Sequence, residues 1–358
     1  MFGDRYRGRR VVITGHTGFK GSWLGFWLEQ LGAEVTGIAL PMTGPNHFAL
    51  LPCGGRSELF DIRDRERLIR VMRQIRPEMV FHLAAQPLVL AGYRDPAGTF
   101  DTNVMGTVNV LEAVRQTPEV KAVVVVTSDK CYAANDTRRP FREGDPLGGG
   151  DPYSASKGAA EIVSAAYAGS YFNGNGHPAL VATARAGNVI GGGDWGADRL
   201  VPDLMRAAAD GKTAELRHPE AVRPWQHVLE PLSGYLWLGA ALLAGRRDCA
   251  AAWNFGPGAD RSAVTVGEAA AMLQSAWPEI RFRSRPDANG PAETGRLQLD
   301  CSRADALLQW RGVWDMAETC RRTALWYRAW YREQRVETAS DWRAYCAAAA
   351  EKGLAWTE

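Results

Sequence analysis

Tyr153 and Lys157 stand four residues apart in Tyr153-Ser154-Ala155-Ser156-Lys157, a spacing that puts a phenol and an ammonium on one face of a helix. A cation beside a phenol favours tyrosinate, so Tyr153 is expected to remove a hydroxyl proton while hydride leaves the adjoining carbon. Upstream, Thr127-Ser128-Asp129-Lys130-Cys131-Tyr132 sets a hydroxyl, an acid and a base at the end of the apolar run Val123-Val124-Val125-Val126. Near the start, Thr14-Gly15-His16-Thr17-Gly18-Phe19-Lys20-Gly21 follows another β-branched run. Gly15, Gly18 and Gly21 fall where a strand turns sharply into a helix. There the free N–H groups and dipole of the helix N-terminus favour a pyrophosphate. Gly15, Thr17, Gly18, Phe19 and Gly21 are therefore the expected cofactor contacts. A lone Y-x-x-x-K or glycine triplet is common by chance; the two in this order are specific.

Those groups need a scaffold, and the first half of the chain reads as one. Strands are expected at 11–14, 34–40, 79–83 and 121–127, with helices at 19–31, 64–75 and 99–114. Continuous apolar runs between amphipathic helices imply a doubly wound parallel α/β sheet, a Rossmann fold. Gly, Pro and Trp loops break up the second half, with helices expected near 201–209, 231–243 and 315–330. A dinucleotide-binding domain over 1–180, with a returning segment near 222–257, and a smaller, partly interleaved domain over 181–358 are expected. The second strand ends Ile38-Ala39-Leu40-Pro41, without the acid that usually holds a ribose hydroxyl or the arginine that would favour NADP. NAD is the expected cofactor.

The 358 residues carry 42 basic and 40 acidic side chains, a balance that gives no electrostatic case for nucleic acid or an anionic membrane. The start is polar and no apolar run is long enough to span a bilayer, so a cytoplasmic protein is expected. Six cysteines lie scattered without a C-x-x-C pair, as do six histidines; reduced thiols and no metal site are expected.

The glycine spacing, Asp61-Ile62, His82-Leu83-Ala84-Ala85-Gln86 and Tyr153…Lys157 together resemble the extended short-chain dehydrogenases. Within them, Asp129-Lys130 resembles the CDP-glucose 4,6-dehydratases. So do Arg185–Trp195, Asp198–Asp203, Arg223–Tyr235, Trp253–Pro257 and Leu297–Ser302. The likeness runs from about residue 9 to about 335. It implies that Asp61 and Ile62 lie beside the adenine, that Ala84, Ala85 and Gln86 line the cofactor pocket, and that Tyr153 and Lys157 contact the cofactor as well as serving the reaction. Gln86 is also expected at the substrate. Ser128 would hydrogen-bond the oxygen being oxidised.

The implied reaction takes hydride from C4 of a nucleoside-diphosphate glucose, CDP-glucose, with Tyr153 as base. The new ketone acidifies C5. A neutral Lys130 would take that proton and a protonated Asp129 would give one to the leaving C6 hydroxyl, states that burial beneath the substrate favours. Hydride then returns to C6. Arg199 and Arg223 offer guanidinium forks for the diphosphate, and Asn188 an amide. Where the likeness leads one to expect a His-Glu-Ala-His-Tyr-like run, this chain reads Ala292-Glu293-Thr294-Gly295-Arg296, which leaves the preference for the base open. A homodimer or homotetramer is implied, paired through the Tyr153 helix, with Ala159, Ile162, Val163 and Ala166 on its apolar face, and through the 99–114 helix. A 4-epimerase, another extended short-chain oxidoreductase and a non-catalytic NAD-binding homologue are the alternatives; Asp129-Lys130 argues against the first two, and the intact Tyr153, Lys157, Ser128 and Asp129 against the third.

Overall fold

The computed structural model of the chain describes residues 1–52, 55–133, 139–258, 264–285 and 297–358. A seven-stranded sheet, parallel at every pairing, organises it: β1 (Arg10–Thr14), β2 (Glu34–Ala39), β3 (Arg56–Leu59), β4 (Met79–His82), β5 (Ala122–Val126), β6 (Leu180–Ala186) and β7 (Ala252–Phe255). The spatial order β7-β6-β5-β4-β1-β2-β3 reverses between β1 and β4. In such sheets ligands bind outside the carboxyl ends of the strands at that reversal.

Alternation within the strands divides the core. Val11, Ile13 and Val124 belong to one apolar cluster with Trp23 and Trp27 of helix α1 (Phe19–Gln30). Val12, Val123 and Val125 belong to another with Leu68 and Met72 of α2 (Arg65–Ile75) and Val110 and Val114 of α3 (Gly106–Arg115). Both faces are dry, which is why these strands read as unbroken apolar runs. Asp64 caps α2 by accepting from the Arg67 amide, and Arg76, with φ 50°, ends it. Asp151 caps α4 (Pro152–Tyr171) through the Ser154 amide, and Pro152 opens that helix.

The expected 99–114 helix contains a π turn. Residues Pro96–Phe100 are α-helical, Asp101–Met105 form the wider turn and α3 follows. The turn delivers the buried Asn103 amide to Ser156 Oγ (2.8 Å) and to the Gln86 carbonyl (3.0 Å). Wide turns of this kind concentrate at functional sites. Strands β3, β6 and β7 and the helix Val266–Ala276 were not expected from the sequence.

Helix α5 (Leu229–Leu243) is sealed by α6 (Met316–Glu333) and α7 (Thr338–Glu351) in a cluster rich in tryptophan. Glu230 is buried there, accepting from the Val313 and Trp314 amides and the Tyr345 hydroxyl. Burial pushes it up to about 7, against those hydrogen bonds. The folded state then binds the proton more tightly than the unfolded chain. This contribution to stability is complete below the unfolded value of 4.5 and lost as pH rises through about 7. Glu230→Gln is expected to flatten the profile of Tm against pH across that window; parallel profiles for the two proteins would contradict this.

Among the described residues no helix is long and apolar enough to cross a membrane, and no cluster could hold a metal ion. Cys131, Cys249, Cys301, Cys320 and Cys346 are free thiols; Cys53 lies outside the described residues.

Candidate active site

Two strand ends build the cofactor side. Gly15, with φ +79°, turns the chain out of β1, its amide donating to the Ile38 carbonyl at 2.7 Å. A Cβ on Gly15 would lie 2.8 Å from the Ala84 amide nitrogen, and one on Gly21 only 2.1 Å from the Gly15 oxygen. The turn thus nests against the end of β4 and against α1. Gly18 is the N-cap of α1 and no side chain caps the helix there, so its first turn faces an anion with backbone amides alone. This cradle fits a dinucleotide pyrophosphate. Gly21→Ala is expected to overpack it at about 1–3 kcal/mol, a drop of a few degrees in Tm. It should also weaken NAD binding about tenfold or more by calorimetry; unchanged affinity would contradict the cradle.

Other expected cofactor residues are already engaged within the protein. Thr17 reaches the Leu40 carbonyl at 3.4 Å, and Phe19 packs near Gly191. Asp61 accepts from the Arg63 amide (2.9 Å) and guanidinium (2.7 Å), which hold its carboxyl below the usual range. Ile62 is buried. The Ala84 amide donates to Thr14 Oγ1 at 3.2 Å, while Ala85 sits half-buried beside it. Gln86 spends its side chain on the Thr99 hydroxyl and the Leu88 amide.

The reaction side grows from β5 and α4. Ser128, Asp129 and Lys130 turn across the end of β5, with Ser128 Oγ accepting from the Lys130 amide (3.2 Å) and donating to Asp129 Oδ1 (3.0 Å). Lys130 Nζ stands 3.8 Å from the same carboxylate oxygen. Asp129 is 1% exposed, and its Oδ2 has no hydrogen-bond partner among the described residues. A buried carboxylate oxygen left unpaired is costly, and such groups gather where chemistry is done. Gly187 and Pro224 close over it, a Cβ on Gly187 falling 3.0 Å from Oδ2 and 2.6 Å from Pro224 Cγ.

Tyr153 enters from α4, buried at 8% exposure. Burial raises its phenol, while Ser128, Lys130 and Arg199 pull it back down and Asp129 pushes it up. Lys157 was expected to be the cation activating the phenol. Buried one turn along the same helix, it donates to the Val126 carbonyl at 3.4 Å, and burial lowers it to about 8 against Glu161 and Cys131. Arg199 lies in the field of the phenol, one nitrogen held 2.8 Å from Asp194 Oδ2, so part of its fork is already taken. Asn188 and Arg223 are the sequence neighbours of Gly187 and Pro224. The Asn188 carbonyl accepts from Gln226, and Arg223 is 9% exposed and donates to the Val222 carbonyl.

Sequence reasoning passed over Lys20. It stands 3.4 Å from the Tyr235 hydroxyl, in the fields of Asp129, Lys157 and Arg199, and burial lowers it to about 8. Its place inside the glycine turn was the available signal.

The NAD dependent epimerase/dehydratase family matches residues 11–248, two thirds of the sequence, and the chain belongs to it. The chain is 45% identical to the CDP-glucose 4,6-dehydratase of Salmonella typhimurium, over 91% of this chain and 92% of that protein. A solved dTDP-glucose 4,6-dehydratase of Streptomyces venezuelae with NAD bound superposes with TM-score 0.75 at 26% identity, covering 91% of this chain and all of that one. The UDP-glucose 4-epimerase of Thermus thermophilus in complex with NAD gives 0.77 at 27%, covering 89% and 99%.

Proposed function

We propose that this protein carries out NAD-dependent 4,6-dehydration of CDP-glucose, giving CDP-4-keto-6-deoxyglucose and water. One observation carries the proposal: the sequestered Asp129 carboxylate, flanked by Lys130, shares a cluster with the Tyr153 phenol through Ser128. The 45% identity to a CDP-glucose 4,6-dehydratase supports the choice of nucleotide.

NAD held by the Gly15–Gly21 turn supplies a hydride acceptor at C4 and a hydride donor at C6. On the protein's side, Tyr153 takes the C4 hydroxyl proton and Ser128 hydrogen-bonds the oxygen that becomes the ketone. The ketone acidifies the C5 proton, and Lys130 removes it. Asp129 gives its proton to the departing C6 hydroxyl, so water leaves and a C5=C6 bond forms. Lys130 returns its proton to C5 as C6 is reduced. Passage of the Tyr153 proton to Asp129 resets both groups, and the sum is loss of one water with no net oxidation.

A 4-epimerase has no use for a buried carboxylate at 129, and a binding protein none for a phenol set among cations. Arg199, Arg223 and Asn188 are assigned to the diphosphate, and Asp61, Ile62, Ala84, Ala85 and Gln86 to the cofactor side. Residues 1–180 with 222–257 are assigned to NAD and the rest of 181–358 mainly to the sugar nucleotide. The altered run Ala292–Arg296 lies outside the described residues. A homodimer or homotetramer belongs to the same proposal. Helix α4 packs on the 96–115 helical segment, and the two leave Phe100, Met105 and Ile162 exposed, Ile162 at 58%. So does a cytoplasmic location, in keeping with the free thiols.

Turnover of CDP-, dTDP-, GDP- and UDP-glucose tests the reading, because 4-keto-6-deoxy sugars absorb in alkali. CDP-glucose should give the strongest signal. No alkali-absorbing product from any of the four would refute it, and a 4-epimer would replace it with epimerisation.

A further inference from the structure

Tyr153, Lys157 and Glu161 recur every four residues on one face of α4, and all three are buried. The Glu161 carboxylate accepts from the Thr127 hydroxyl, from Thr183 Oγ1 at 2.7 Å and from Arg185 Nη2 at 2.8 Å. Both members of this ion pair have side chains only 3% exposed. Arg185 in turn donates to the Tyr132 hydroxyl at 2.8 Å and to the Glu143 carbonyl at 3.0 Å, its guanidinium 4.9 Å over the Tyr132 ring. The Tyr132 hydroxyl donates its own hydrogen bond to Asn254 Oδ1 at 2.6 Å.

Thr127 and Tyr132 are the residues on either side of Ser128–Cys131. One buried pair therefore grips both ends of the turn that presents Ser128, Asp129 and Lys130, and ties it to the helix that presents Tyr153 and Lys157. We propose that Glu161 and Arg185 are positioning residues for dehydration, fixing the turn that carries the acid–base pair relative to the helix that carries the phenol. The inference rests on the dehydratase reading above and adds to it. A buried ion pair is a poor stabiliser beside apolar residues of similar volume, which often do as well or better; its use here is geometric. Glu161 also acts on Lys157, raising it against burial. The other groups facing that ammonium are Cys131 at the end of the turn, His82 at the end of β4 and Lys20 beside the glycine turn.

The test compares Glu161→Met, Arg185→Met and the double variant in the full-length protein. Each single variant strands a buried charge and should lower Tm, whereas the double should recover it, with NAD affinity within about threefold of the parent. If the pair positions the turn, the double still loses water formation about thirtyfold or more in kcat with KM little changed. Its descending pH limb should also move to lower pH, because Lys157 has lost its anion. Recovered Tm with parental kcat and pH profile overturns the proposal. Should the double not fold, Tyr132→Phe decides. It keeps the ring under Arg185 but cuts the hydroxyl link, and should lower kcat several-fold with a fall of only a few degrees in Tm; parental kcat overturns the proposal. A parent protein inactive on all four sugar nucleotides removes the reading beneath, and this inference with it. An active parent with an unaffected double removes the inference alone.

Discussion

Replacing Lys130 by Met is expected to leave C4 oxidation and stop the loss of water. The variant keeps the aliphatic stem and removes the amine, whose Nζ stands 3.8 Å from Asp129 Oδ1 on a side chain 30% exposed. Little packing is disturbed, so the loss falls on proton removal from C5, worth about 10²–10⁴ in rate. With the second half-reaction blocked, reduced nicotinamide should accumulate on mixing with CDP-glucose, a change followed directly by absorbance. The pH dependence should move as well. Lys130 is one of the cations that pull the Tyr153 phenol down; without it the phenol rises, and the ascending limb for C4 oxidation shifts to higher pH. Parental formation of the 4-keto-6-deoxy product by this variant would remove Lys130 from the mechanism.

Tyr153→Phe should fail earlier. Without the phenol the base assigned to the C4 hydroxyl proton is gone, so reduced nicotinamide and water loss should both fall about 10²–10⁴-fold. The ring packs as before and the cofactor turn is untouched, so Tm and NAD affinity should stay near parental values. The contrast is diagnostic: one variant stalls after oxidation, the other before it. Tyr153→Phe with parental accumulation of reduced nicotinamide would assign the base elsewhere.

The central sheet was legible because β1, β4 and β5 are buried on both faces and each carries an unbroken apolar run, Val11–Ile13, Met79–Phe81 and Ala122–Val126. Strand β6, Leu180-Val181-Ala182-Thr183-Ala184-Arg185-Ala186, is equally buried yet carries Thr183 and Arg185. Its polar residues are there for Glu161, twenty or more positions away in sequence, and no local pattern announces such a partner. Strand β3 has the opposite trouble, an edge with mostly exposed residues and no alternation to read. At the site, Ser128, Asp129, Lys130 and Tyr153 were visible because a strand end followed by a helix dictates where their side chains meet. The carbonyl that the Lys157 ammonium meets was not legible, since its spacing from Tyr153 fixes only a shared helix face. Lys20 was hidden by the motif around it: glycines explain the turn so fully that the cation inside it drew no separate reading.

The central claim is that oxidation at C4 is coupled within one active site to loss of the C6 hydroxyl. CDP-glucose deuterated at C4 tests it most directly, with the product examined by NMR. A 4-keto-6-deoxy sugar carrying the deuterium on C6 is the expected result. Deuterium still on C4, beside an intact C6 hydroxyl, would contradict the account.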